Sequence, residues 1–205
     1  MEKHLGEVMR KKDLAISLQS VRDFDGPSPS LEQYMTPANM AADMVFDAYA
    51  NGDIQGMKVV DLGCGTGMLS IAAWLMGAGM VMGFDTSAKA LSVAESNREA
   101  FKADVSFTRC DVSQVTEEAD TILMNPPFGC QTKNADRPFL DKAMELSECI
   151  YSIHMANSVD FIKEYCERKG RHVASYKIYK YDIPHLFSFH KRAKQTVEVA
   201  VVNIR

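Results

Sequence analysis

No run of eighteen apolar residues occurs anywhere in the chain, which excludes a membrane-spanning helix of ordinary length. Met1 to Lys12 is polar and charged. It lacks the apolar stretch and small-residue cleavage site of a secretory signal, so a cytoplasmic protein is expected. Cysteine is scarce and scattered. The five residues are Cys64, Cys110, Cys130, Cys149 and Cys166, and no two have CxxC spacing. That argues against a disulfide framework and against a zinc site built from this chain alone, so no metal is expected. No internal repeat or low-complexity tract stands out. Basic charge is also missing overall, since the formal net charge is −4. The distribution is uneven, however. Residues 163–194 hold nine Lys/Arg against three acids, so that segment is +6 and the remainder −10. Such asymmetry suits a polyanion-facing end, although a solvated helix face and loop explains it equally well.

What the chain does have is a regular alternation of elements. With 205 residues it suits one α/β domain. Val8, Met9, Leu14, Leu18 and Val21 sit among charges and predict an N-terminal helix, broken at Asp25-Gly26-Pro27-Ser28-Pro29. Residues 1–30 are therefore read as a helical extension and 31–205 as the core. Thr36-Pro37 reads as an N-cap followed by proline at the first helical position, opening a helix that runs to about Ala50. Strands are predicted at Met57–Leu62, Met80–Phe84, Val105–Cys110, Thr121–Met124 and Ile150–Met155. Helices are predicted at Met68–Met76, Ser87–Phe101, Asp136–Ser147 and Val159–Lys169. The chain closes with two strands, His172–Tyr181 and Val197–Arg205, with no helix between them. The last has so few polar positions that burial on both faces is expected. Repeated βα units imply a parallel, doubly wound sheet, and the closing pair implies an antiparallel addition. The fold class expected is α/β, a mostly parallel seven-stranded sheet with an antiparallel C-terminal strand, and by analogy that combination resembles the architecture of the Rossmann-like, class I S-adenosylmethionine-dependent methyltransferases.

Two motifs carry the chemistry. Val59-Val60-Asp61-Leu62-Gly63-Cys64-Gly65-Thr66-Gly67 runs from a strand through a glycine turn into a helix. Its spacing is GxGxG, not the GxGxxG of dinucleotide binders. Asp85 ends the next strand, about 20 residues on, where a carboxylate can accept hydrogen bonds from ribose hydroxyls. Asp61 can orient the turn or approach a methionine ammonium. Asp111, with the Val112 main chain beside it, can take an adenine amine. One such aspartate alone would read as a turn cap. Acids after three successive strands, beside a glycine turn, read as a ligand site at the carboxyl ends of the strands. The second motif is Asn125-Pro126-Pro127-Phe128, after the apolar strand 121–124. Pro126 keeps a carbonyl but has no N–H, and the Asn125 side chain adds a second acceptor. Two acceptors at fixed spacing suit an –NH₂ group, and Phe128 offers a face on which a flat base or amide can stack. Asn-Pro by itself is a common turn initiator, so the context after a cofactor motif is what lifts this reading.

With these residues the chain resembles the Asn-Pro-Pro-Phe class of amino-methyltransferases, and most of all the methyltransferase-like-five family of small-subunit rRNA adenine-N6 methyltransferases. The resemblance runs from Leu31-Glu32-Gln33-Tyr34 and Thr36 through the Asp61–Gly67 turn, Gly83-Phe84-Asp85, Cys110-Asp111-Val112 and Met124–Gly129. It ends on Tyr181-Asp182-Ile183-Pro184 and Phe189-His190-Lys191. It implies that S-adenosylmethionine is held by Gln33, Thr36, Gly63, Thr66, Met68, Asp85, Asp111 and Val112, with Asp61 and Gly67 completing the turn. Asn125 to Phe128 would hold the adenine, and Lys191 and Arg192 would meet the RNA backbone. Residues 130–137 depart from the family pattern and are expected to form a lid. The resemblance also implies a partner, a small zinc-binding methyltransferase activator paired to a sheet edge, with Val105–Arg109 as the edge strand. Two alternatives share the chemistry: a protein glutamine N5-methyltransferase, which carries Tyr where Phe128 stands, and a DNA adenine-N6 methyltransferase. A scaffold that only binds nucleic acid is a third.

Overall fold

The computed structural model describes residues 9–28, 32–129, 134–184 and 194–205. Their centre is a seven-stranded sheet in the order β3-β2-β1-β4-β5-β7-β6. The strands are β1 (Lys58–Leu62), β2 (Met80–Asp85), β3 (Ser106–Arg109), β4 (Thr121–Met124), β5 (Ile150–Met155), β6 (Val173–Pro184) and β7 (Lys194–Ile204). The first five are mutually parallel. β7 runs antiparallel to both β5 and β6. This is a doubly wound α/β sheet with an antiparallel C-terminal pair, as expected. The closing strands are longer than the apolar pattern indicated, because the main-chain ladder continues to the pair Pro184–Lys194. Ladder pairing is a backbone property and outlasts the side-chain pattern.

The central strands are apolar because helices cover both faces. Five residues of β4 and β1 that lie side by side, Val59, Val60, Leu62, Ile122 and Leu123, have no solvent exposure. One layer packs α1 (Lys11–Leu18), α2 (Ala38–Ala50) and α3 (Met68–Leu75) against Val59, Leu123, Ile153 and Val201. The other sets α5 (Arg137–Leu146) and α6 (Val159–Arg168) against Val60, Met124, Ala200 and Val202. β7 alternates between these layers, so it is buried on both faces, as its sequence implied. α4 (Ala88–Phe101) opens on Ser87, whose hydroxyl accepts from the Ala90 N–H as a helix cap.

One local expectation is corrected. α2 begins at Ala38 with Pro37 in the capping position, and no side chain caps it. The Thr36 hydroxyl is turned away from the helix, to a partner described below. The N-terminal helix is shorter than the first twenty-two residues, spanning Lys11–Leu18, and residues 1–8 lie outside the described residues. So do Lys191 and Arg192 and residues 130–133 of the lid segment.

Sheet order decides where a ligand can sit. β1 is flanked by β2 on one side and β4 on the other, so the chain reverses its direction of winding between β1 and β4. The loops after these strands diverge to opposite faces and leave a crevice at the carboxyl edge.

Candidate active site

The crevice holds a cavity of about 320 Å³. Its floor is the turn after β1. Gly63 and Cys64 donate their N–H groups to the Phe84 carbonyl at 2.8 and 3.0 Å, which ties the turn to the end of β2. The Gly65 N–H donates to Asp85 Oδ2 at 2.9 Å, and Ser87 N–H donates to Asp85 Oδ1 at 2.8 Å. Asp85 therefore braces the turn, and the carboxylate still has acceptor capacity for a further donor. Burial pushes its carboxyl above the ordinary range, and the backbone N–H groups pull the other way.

The three glycines of the turn answer to packing as well as to a ligand. A Cβ on Gly63 would lie 3.0 Å from the Phe139 ring, one on Gly65 2.9 Å from Phe24, and one on Gly67 2.7 Å from Phe107. These rings come from α5, from the segment before α2 and from β3. Gly67 also has φ +83°, a conformation that L side chains rarely adopt. The turn is thus closed from three sides by aromatic rings set close to its main chain.

Asp61 lies below the turn with 1 % exposure. Its Oδ2 accepts from the Ser70 N–H at 3.0 Å and from the Ser70 hydroxyl at 2.6 Å. Its Oδ1 is buried with no hydrogen-bond partner among the described residues. Burial pushes the carboxyl up to about 7, against the two Ser70 bonds, and the Asp85 charge adds to the rise. A buried carboxylate with an unused oxygen on a cavity wall calls for a cation or a strong donor. Asp111 differs. It is exposed, and its Oδ1 accepts from the Ser113 hydroxyl and N–H at 2.6 and 2.9 Å, bonds that hold its carboxyl below the usual range. It lies two residues beyond β3 and starts a 3₁₀ turn over Val112–Gln114.

At the other wall, Asn125 follows β4. Its Nδ2 donates to Thr36 Oγ1 at 3.0 Å, and its Oδ1 is buried without a partner among the described residues. Asn125 and Pro127 line the cavity, whereas Pro126 and Phe128 do not. Pro126 is buried. Phe128 is half-buried and stacks on Tyr34 with ring centroids 6.0 Å apart and planes 20° from parallel. One face of the Phe128 ring is therefore already used.

Among the residues expected at the cofactor, Gln33, Thr36, Asp61, Gly63, Thr66, Met68, Asp85, Asp111 and Val112 all line the cavity, and Gly67 does not. The pattern of the sequence missed Phe24, Cys64, Cys110 and Phe139 as lining residues. Phe24 is brought in by Asn97 of α4, which is 1 % exposed. Asn97 Oδ1 accepts from the Arg22 N–H, while its Nδ2 donates to the carbonyls of Arg22 and Thr66. A buried asparagine on an otherwise apolar helix face was the available signal. Among the described residues no group of three His, Cys, Asp or Glu side chains could hold a metal ion. No described helix is long and apolar enough to cross a membrane.

The Methyltransferase small domain family matches residues 42–147. The chain is 35% identical to the rRNA N(6)-adenosine-methyltransferase METTL5 of Danio rerio, over 96% of this chain and 98% of that one. It is 36% identical to an uncharacterised protein of Methanocaldococcus jannaschii over 97% of this chain and 94% of that protein. Among solved structures, a Pyrococcus horikoshii protein superposes with a TM-score of 0.90 at 40% identity, covering 97% of this chain and 98% of its own.

Proposed function

The chain belongs to the Methyltransferase small domain family, and from that premise we propose that it transfers a methyl group from S-adenosylmethionine to the N6 amine of adenine in RNA, with small-subunit ribosomal RNA as the substrate. The observation that carries this reading is Asn125. A carboxamide oxygen is held buried just after β4, beside the cavity and without a partner among the described residues, where it can accept from an amine. The METTL5 relative, named for rRNA adenosine, matches nearly the whole chain and supports adenosine in rRNA as the target.

The residues present fit S-adenosylmethionine. The unused Asp61 oxygen suits an ammonium, and Asp85 has acceptor capacity left for ribose hydroxyls. Phe24, Met68 and Phe139 give the cavity apolar walls. When bound, this group supplies an electrophilic methyl carbon. The protein's part is to bind and orient. Asn125 Oδ1 and the Pro126 carbonyl accept the two N–H hydrogens of the target amine, which directs the nitrogen lone pair away from both acceptors. The Phe128 ring, stacked on Tyr34, meets the base. Positioning and fixed dipoles carry the acceleration. An adenine in a stem has to leave its stack to reach the site.

The Asp61 carboxyl makes cofactor binding pH-dependent. Its pKa of about 7 in the free protein must fall when an ammonium arrives, so binding releases a proton below that pH. Affinity is then full above the free-protein value and lost as pH falls through it. Calorimetric titration is expected to show on the order of tenfold weaker binding at about pH 5.5 than at about pH 7. Methylthioadenosine, which has no ammonium, should show no such trend. Equal affinity of S-adenosylmethionine at both pH values would remove Asp61 from the ammonium site.

The substrate assignment is tested by methyl transfer from labelled S-adenosylmethionine to small-subunit rRNA, DNA and a release-factor-like protein in parallel. N6-methyladenine in the RNA alone is the expected product. Label in glutamine would replace this reading with that of a protein N5-methyltransferase. The Lys191–Arg192 segment is proposed to meet the RNA backbone. β3, at the sheet edge, is proposed to take an added strand from a small zinc-binding activator. An assay silent without the activator and active with it would support that pairing.

A further inference from the structure

Thr36 was expected as a helix cap and as a cofactor contact, yet it caps nothing. Its hydroxyl oxygen sits 3.0 Å from Asn125 Nδ2, across 89 residues of sequence. Thr36 is 5 % exposed and lines the same cavity as Asn125. A carboxamide has two ends of nearly equal shape and opposite polarity, and rotation by half a turn about its terminal bond exchanges them. If the ends were exchanged at Asn125, an –NH₂ group would stand where the acceptor is needed, facing the –NH₂ group of the target. Among the described residues, the Asn125 side chain hydrogen-bonds through Nδ2 to Thr36, and its Oδ1 has no partner.

From this geometry we infer that Thr36 is a positioning residue for methyl transfer: its hydroxyl, with its own proton directed away from Asn125, accepts from Nδ2 and so holds Oδ1 toward the target amine. The inference rests on the proposed amine methylation. Its structural reason is a division of labour at one hydroxyl. The segment Glu32 to Thr36 lines the cofactor cavity, and its last residue reaches the group that receives the substrate. Placement of that segment therefore also sets the amide. Valine at position 36 keeps the shape and removes the acceptor, and serine keeps the acceptor.

The experiment compares wild type, Thr36→Val, Thr36→Ser and Asn125→Ala in the full chain, with activator where activity needs it. kcat, KM for RNA, cofactor Kd by calorimetry and melting temperature are read for each. Thr36→Val is expected to lower kcat roughly tenfold, the loss given by one hydrogen bond of ordinary net strength. Its cofactor Kd should stay within about twofold of wild type, and Thr36→Ser should recover most of kcat. Added to Asn125→Ala, Thr36→Val should cost little more, because the group it positions is gone. Unchanged kcat in Thr36→Val overturns the inference. So does a serine variant as slow as the valine one, or a loss that appears wholly in cofactor Kd. An Asn125→Ala variant as active as wild type would instead overturn the amine-binding reading itself, whatever Thr36→Val does.

Discussion

Asn125→Ala is expected to reduce kcat for methyl transfer by on the order of 10²–10³-fold, with the cofactor Kd and the melting temperature close to wild type. The size follows from what is removed. The Oδ1 atom is buried and has no hydrogen-bond partner among the described residues, so its loss breaks no hydrogen bond there. The bond that disappears is that from Nδ2 to Thr36, worth about 1 kcal/mol of stability. Ground-state binding of RNA through its backbone is untouched, so KM should move little. The effect is concentrated where the amine must be aligned with the methyl carbon. Single-turnover rates with saturating cofactor and RNA, beside a calorimetric cofactor titration, measure the two quantities separately. A variant that keeps wild-type turnover would exclude the Asn125 side chain from the chemistry and require another acceptor for the target amine. Asn125→Asp is a sharper companion. It keeps an acceptor but replaces the Nδ2 donor with an oxygen facing Thr36, and it adds a charge near the target.

Asp85→Ala is expected to weaken S-adenosylmethionine binding by about 100-fold or more. Two effects combine. The carboxylate is the proposed acceptor for the ribose hydroxyls, and hydrogen bonds to a charged group contribute about 1.5–3 kcal/mol each. It also accepts from the Gly65 and Ser87 N–H groups, so its removal loosens the glycine turn that forms the cavity floor. The melting temperature should fall as well, since two backbone donors lose their acceptor. Asp85→Asn separates the contributions. Its amide retains one oxygen for a backbone N–H and loses the charge, so it should melt nearer to wild type while still binding weakly. If Asp85→Ala binds the cofactor as wild type does, the ligand does not reach the end of β2, and the cavity needs another occupant.

These two residues show how far sequence pattern reaches. Asp85 ends one apolar strand and Asn125 follows another, and in a doubly wound sheet a residue at the end of such a strand is delivered to the carboxyl edge by the backbone alone. Their placement needs only a strand, a direction and a stop signal, all of them local. Gly63, Thr66 and Met68 are legible for the same reason. Thr36 is the opposite case. Thr36-Pro37 has the form of a helix start, and the local rule assigns its hydroxyl to the helix. The structure gives that hydroxyl to Asn125, since a partner 89 residues away is brought within 3.0 Å by packing of the N-terminal segment over the sheet. The GxGxG turn is a mixed case. Its position is legible, but the rings of Phe24, Phe107 and Phe139 that close on its glycines come from three separate elements. Phe128 was read as an open stacking face, and Tyr34 takes one side of it.

By itself, then, the sequence determined the order of strands and helices, the α/β class, the glycine turn and the strand-end residues Asp61, Asp85 and Asn125. Apolar period and punctuation by glycine, proline and aspartate are local properties of the chain, and they survive in any context that buries the strands. Tertiary structure alone decided which end of the Asn125 carboxamide faces a substrate, how Asp61 comes to hold an unused buried oxygen, and which rings wall the cavity. Those outcomes depend on desolvation and on contacts between elements far apart in sequence, and no local pattern encodes the depth at which a side chain is finally buried.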